Sequence, residues 1–203
     1  MHLSHQGLGL LAGALALIQV VPYVVSIHRG QTRPNRATYA IWSTINVVYL
    51  ASYVAAGARA TAWAMLAFTL SGLVVFVLSL RYGMGGLRRF DLVCLGLAAT
   101  AIALWVWTKD PATAVYASLA ASTLGFLPTI KKTRTRPETE NALSWGLTVA
   151  AATVNLFALA NQEPAIALPP FAAWIGDAVV FSLAVRGQST EQISPNRDRG
   201  RPR

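Results

Sequence analysis

TRPNRATYAIW (Thr32–Trp42) and TRPETENALSW (Thr135–Trp145) are the two stretches on which the fold turns. Each opens on Thr-Arg-Pro among basic residues and places a tryptophan eight positions after its proline, Trp42 after Pro34 and Trp145 after Pro137. The likeness extends in both directions. Upstream, Pro22 and Pro128 each lie near the end of the preceding apolar run. Downstream, Val74-Val75-Phe76 with Arg81 recurs as Val179-Val180-Phe181 with Arg186. The three pairs are offset by 106, 103 and 105 positions, a drift that one or two short insertions or deletions explain. Three matches in one order predict two copies of one structural unit.

Composition says what the unit is made of. The chain has 203 residues, 54% of them hydrophobic and 12% charged, where a soluble domain carries about a quarter charged residues. Stretches 7–27, 37–58, 60–80, 92–108, 111–130, 141–162 and 165–176 contain no Asp, Glu, Lys or Arg. About 20 mostly apolar residues in a helix cross a bilayer core, and helices are required because lipid offers no partner to free backbone N–H and C=O groups. The seventh run reaches that length only by admitting Asp177, and then extends to Val185. The pattern predicts an all-α membrane protein with seven transmembrane helices near 7–28, 38–57, 61–81, 90–108, 112–130, 142–161 and 166–186. Residues 1–86 form the first three-helix repeat, 87–110 a linker helix, 111–186 the second repeat, and the polar stretch 187–203 a disordered cytoplasmic tail. A single connecting helix lets both copies point the same way, so the repeats are expected to be parallel.

The net charge of +9 is confined between the apolar runs. With the N-terminus outside, inner segments hold Arg29, Arg33, Arg36, Arg81, Arg88, Arg89, Lys131, Lys132, Arg134, Arg136, Arg186 and the tail arginines, and outer loops hold only Arg59 and Lys109. That asymmetry, 15 against 2, follows the positive-inside rule and predicts N-out/C-in. It also assigns the basic loops to topology and to anionic lipid, with no nucleic-acid partner. The N-terminal segment lacks a basic n-region, so the first run reads as a retained helix. One cysteine, Cys94, excludes an intramolecular disulfide and a cysteine metal cluster. Arginine exceeds lysine 14 to 3, which points to a GC-rich bacterial genome and hence a multi-pass protein of a bacterial cytoplasmic membrane.

The 3+1+3 layout, with a proline near the end of each unit's first helix and a polar loop leading into the second, resembles the SWEET and PQ-loop membrane proteins. The stretch Lys109-Asp110-Pro111 through Leu124-Gly125-Phe126-Leu127-Pro128, with the basic loop after it, looks closer still to a group of bacterial seven-helix proteins. The resemblance covers roughly residues 7–186 and implies a transporter working by alternating access. The chain departs from the PQ pattern in that Tyr23 and Thr129, not glutamine, follow the two prolines. The second helices also lack the prolines that SWEETs carry there.

Polar residues inside apolar runs are costly in lipid and mark function by default. Asp177 is the acid well inside a run, expected to line a central cavity and to bind a polar solute or carry a proton; its bland alternative is a hydrogen bond to a neighbouring helix. Trp42, Asn46, Tyr49 and Tyr53 share a helical face, as do Trp145, Thr148, Ala152 and Asn155. Rings and amides together suit a sugar- or vitamin-like solute, since rings pack on apolar faces and amides both donate and accept. Against this, the tryptophans could be interfacial anchors and the asparagines helix bridges. Pro22 and Pro128 are expected as hinges near the inner gate, with Gln19 placed to satisfy a backbone group freed by Pro22. Trp63, Trp105, Trp107 and Trp174 read as outer belt anchors. No histidine spacing suits a metal, no catalytic triad or phosphate loop appears, and no cofactor is expected, so an enzyme is disfavoured. Expected partners are membrane lipids and a small-molecule solute, and a homo-oligomer is compatible with this reading. The rival reading, motivated by the missing glutamines, is a partner-binding or sensor subunit that does not transport.

Overall fold

Long apolar runs satisfy their backbone hydrogen bonds in lipid as helices, and the computed structural model adopts that solution. It describes residues 4–55, 59–86, 88–109, 111–160 and 164–193. The elements are α1 (His5–Ile18), α2 (Val20–His28), α3 (Arg36–Ala55), α4 (Arg59–Tyr82), α5 (Arg89–Thr108), α6 (Pro111–Thr135), α7 (Ala142–Phe157) and α8 (Pro164–Ile193), with a single 3₁₀ turn at Pro137–Thr139. Among the described residues the only β contact is an isolated bridge between Asn35 and Met84.

Helix ends follow local chemistry. Asn35 caps α3, its Oδ1 accepting from Ala37 N at 2.9 Å and Thr38 N at 3.2 Å, and Asn141 caps α7 by accepting from Ser144 N at 2.9 Å. Gly30, at φ +72°, ends α2 in the left-handed conformation that glycine adopts without cost. The first apolar run keeps helical dihedrals throughout (Gln19 φ −62°, ψ −28°), but its hydrogen-bond ladder is interrupted at Gln19, between α1 and α2. Pro22 cannot donate to the Ile18 carbonyl and its ring crowds that carbonyl, which accounts for a break one turn upstream. Pro128, by contrast, lies inside α6 without interrupting it. Two helices outrun their apolar segments. α6 continues through Lys131, Lys132 and Arg134 to Thr135, because cations suit a helix C-terminus; it stops where Pro137 pushes Arg136 out of the helical region. α8 continues past Gly187 to Ile193, so the polar stretch expected to be disordered begins as helix; residues 194–203 lie outside the described residues.

Packing partners recur in the two halves. α4 packs against both α1 and α3, and α8 packs against both α6 and α7, so the third rod of each set lies between the first and second. Across the halves, α1 meets α7 and α3 meets α6, while α5 rests chiefly on α6 and less on α3. Small residues allow close approach where α1, α4 and α7 meet: Ala16, Ala67 and Ala151 form one buried cluster. A Cβ at Gly13 would stand 3.1 Å from Trp63 O. The main cluster, Tyr23, Ile27, Tyr39, Val75, Phe126, Trp145 and Val180, draws on both halves.

The outer surface is apolar. Val21, Val77, Val106, Leu143 and Phe157 are all more than half exposed, and Trp107 is 82% exposed. Soluble monomers do not carry so much contiguous apolar surface. Four helical stretches, His5–His28, Ala62–Tyr82, Arg89–Thr108 and Ala167–Gly187, are long and apolar enough to cross a membrane, and Ala142–Phe157 is a shorter apolar helix. The chain is a multi-pass membrane protein. α3 and α6 fall short of the hydropathy of those four because they carry polar residues such as Ser43, Asn46, Ser118 and Ser122.

Candidate functional site

The residues singled out on three separate helices converge. Trp42, Asn46 and Tyr49 of α3, Trp145 and Asn155 of α7, and Asp177 of α8 all line one cavity of about 130 Å³. The 3.6-residue period puts each trio or pair on a single face, and the crosswise packing of the two halves turns those faces toward one another. Gln19, at the break in the first rod, and Ser144 and Thr148 of α7 complete much of the polar lining. α5 contributes none of the described lining residues. The side chain of Tyr53 lies outside the described residues.

The polar groups of this cavity are incompletely paired. Asp177 is 7% exposed, and among the described residues no hydrogen bond or ion pair reaches its carboxyl. Asn155 Oδ1 and Ser144 Oγ are buried without a hydrogen-bond partner among the described residues. Buried polar groups are nearly always satisfied, so a cluster of exceptions around one space marks a place where something else supplies the partners. Gln19 does not repair the backbone near Pro22 as expected; its Oε1 accepts from the Thr148 hydroxyl at 3.2 Å instead.

One side of the cavity is closed by aromatic rings. Tyr23 and Tyr39 stand 6.1 Å apart between centroids, Tyr39 and Trp42 5.6 Å, Trp42 and Phe126 4.5 Å, and Trp42 and Trp145 6.2 Å. The last three pairs meet edge to face, the arrangement the ring quadrupole favours. Two glycines make room. A Cβ at Gly125 would lie 2.7 Å from Trp42 Nε1, and one at Gly176 2.5 Å from the Phe126 ring. Trp42 is pinned further by Nε1 donating to Ser122 O at 3.2 Å.

Behind this layer lies a group the sequence reading passed over. Glu140, in the turn before α7, forms a buried ion pair with Lys132. Its Oε2 accepts from the Tyr23 hydroxyl and from Trp145 Nε1, each at 2.8 Å. Lys132 Nζ also donates to Arg33 O at 2.7 Å. Lys132, grouped with topology and lipid contacts in the sequence, is therefore buried in the protein. The available signal was a pair of acids, Glu138 and Glu140, closing a basic segment. The residues standing in place of the PQ glutamines both bridge the halves: Tyr23 reaches Glu140, and Thr129 Oγ1 donates to Thr38 Oγ1 at 2.9 Å.

Of the residues read as belt anchors, Trp63 and Trp107 are exposed on the apolar surface, and the side chain of Trp105 lies outside the described residues. Trp174 differs: its Nε1 donates to Thr153 Oγ1 at 2.9 Å, tying α8 to α7, while its ring stacks on Phe171. Among the described residues no group of three His, Cys, Asp or Glu side chains could hold a metal. Set against known protein families, characterised proteins and solved structures, the chain matches none.

Proposed function

We propose that this protein is a transporter of a small polar solute, sugar- or vitamin-like in size, working by alternating access between two three-helix units. The observation that carries the reading is the shared cavity, where Asn155 Oδ1 and Ser144 Oγ have no partner and Asp177 has no hydrogen bond or ion pair among the described residues, at the junction where α1 meets α7 and α3 meets α6. Transporters built from repeats place their site at such a junction. In this reading the chain spans a bacterial cytoplasmic membrane seven times, N-out/C-in, as two parallel units of the SWEET-like kind joined by α5. The aromatic layer and the Glu140 cluster form the closed inner gate. Tyr23–Glu140 and Thr129–Thr38 are the cross-unit bonds that break when the inner side opens, and Pro22 and Pro128 are the hinges.

Two experiments test the proposal. In a Cys94→Ala background, Gln31→Cys is expected to react with an impermeant maleimide only from the cytoplasmic side and Lys109→Cys only from the outside; the same side for both refutes the seven-span topology. Solute uptake into proteoliposomes at two pH values, with Asp177→Asn beside the wild type, tests transport. Loss of flux in the variant supports a cavity role for Asp177. Binding without flux in the wild type would favour a sensor or partner-binding subunit.

A further inference from the structure

We infer that the solute is a small organic cation, a charged nitrogen held between Asp177 and the aromatic rings. This deepens the transport reading above and rests on it.

Three observations converge. The first is charge. Among the described residues lining the cavity, Asp177 is the sole acid and there is no Lys, Arg or His. Lys132, behind the aromatic layer, is committed to Glu140 and to the Arg33 carbonyl. A carboxylate buried without a counter-charge loses several kcal/mol of hydration, and a cationic solute supplies the missing partner. A neutral sugar does not. The second is the lining. Trp42, Trp145, Tyr39 and Phe126 meet at steep angles, 80° for Tyr39–Trp42, 65° for Trp42–Phe126 and 67° for Trp42–Trp145. All four rings line the same cavity as Asp177, and an aromatic face attracts a cation. The third is the unpaired polar atoms. Asn155 Oδ1 is an acceptor, the carboxyl of Asp177 becomes one when a cation holds it ionised, and the Ser144 hydroxyl accepts or donates. Unfilled acceptors call for a solute that donates N–H or O–H groups or brings positive charge.

The test uses purified full-length protein in nanodiscs, with intrinsic tryptophan quenching and thermal melting as readouts. Choline and ethanolamine form the cationic arm. Glucose and 3,3-dimethylbutan-1-ol, the uncharged carbon analogue of choline, form the neutral arm. The expected result is saturable quenching by at least one cation, with its neutral analogue weaker by about tenfold or more, a difference of about 1.4 kcal/mol. Asp177→Asn should bring the two arms level while the melt stays cooperative, and Asp177→Glu should keep the preference. Binding by the neutral arm alone, or cation binding unchanged in Asp177→Asn, overturns the charge assignment and leaves the transporter reading standing. Failure of both arms to bind overturns the cation assignment, while the transporter reading is decided by the flux assay.

Discussion

Glu140 offers a direct test of how the two halves are held together. Its side chain is fully buried and that of Lys132 is 5% exposed. Glu140→Gln keeps an acceptor oxygen for Tyr23 and Trp145 but strands the Lys132 ammonium. Removing one partner of a buried ion pair costs about 3–5 kcal/mol, because the survivor's desolvation is no longer offset. Lys132 retains the Arg33 carbonyl at 2.7 Å and a longer approach to Thr139 O at 3.5 Å, so the lower end, about 3 kcal/mol, is expected. Lys132→Met should cost less, about 2 kcal/mol, since the stranded carboxylate keeps two donors at 2.8 Å, and hydrogen bonds to a charged group contribute about 1.5–3 kcal/mol each. The double variant removes both charges and should return to within about 1 kcal/mol of wild type, as buried pairs replaced by apolar groups often do. Denaturant unfolding in micelles, followed by tryptophan fluorescence, completes the cycle. A Glu140→Gln loss below about 1 kcal/mol, or single losses that simply add in the double variant, would refute the claim that the pair is coupled.

Three further outcomes are expected. Gly176→Ala drives a Cβ to 2.5 Å from the Phe126 ring and should destabilise by about 1–3 kcal/mol. Gly72→Ala meets Asn46 Nδ2 at 3.8 Å and Ser43 Oγ at 3.9 Å, both ordinary contacts, and should be neutral or gain up to about 1 kcal/mol of helix propensity; the same unfolding assay separates them. Pro22→Ala supplies the Ile18 carbonyl with an N–H and should slow amide exchange around Gln19, measured by hydrogen–deuterium exchange and mass spectrometry, whereas Pro128→Ala, in a helix already continuous, should change exchange little. Cys94 is 2% exposed, so a permeant maleimide should label it slowly in the folded protein and at least tenfold faster in denaturant, where exposure tracks opening.

Much of the site was legible because helical spacing is local. Trp42, Asn46 and Tyr49 had to share a face once α3 formed, and Asp177 stood out because lipid tolerates acids poorly. Helix extents were less legible at the basic ends. Hydropathy drops at Lys131 and at Gly187, yet neither charge nor one glycine stops a helix, and only Pro137 and its predecessor end α6. Gln19 was read as a local repair because its backbone neighbourhood was visible and Thr148, 129 positions away, was not.

What the amino-acid sequence alone determined, then, is the set of apolar helices, the recurring motifs, and which faces carry polar groups. Each depends on residues within a turn or two of one another, or on a motif that recurs. Only the tertiary structure decided that those faces enclose one cavity, that Asp177 stands there unpaired, and that Glu140 ties Tyr23, Trp145 and Lys132 behind an aromatic layer. Tyr23 and Glu140 are 117 positions apart, and nothing in either local sequence encodes their meeting. It follows from the crosswise docking of two helix sets, whose energy is spread over many side chains at once.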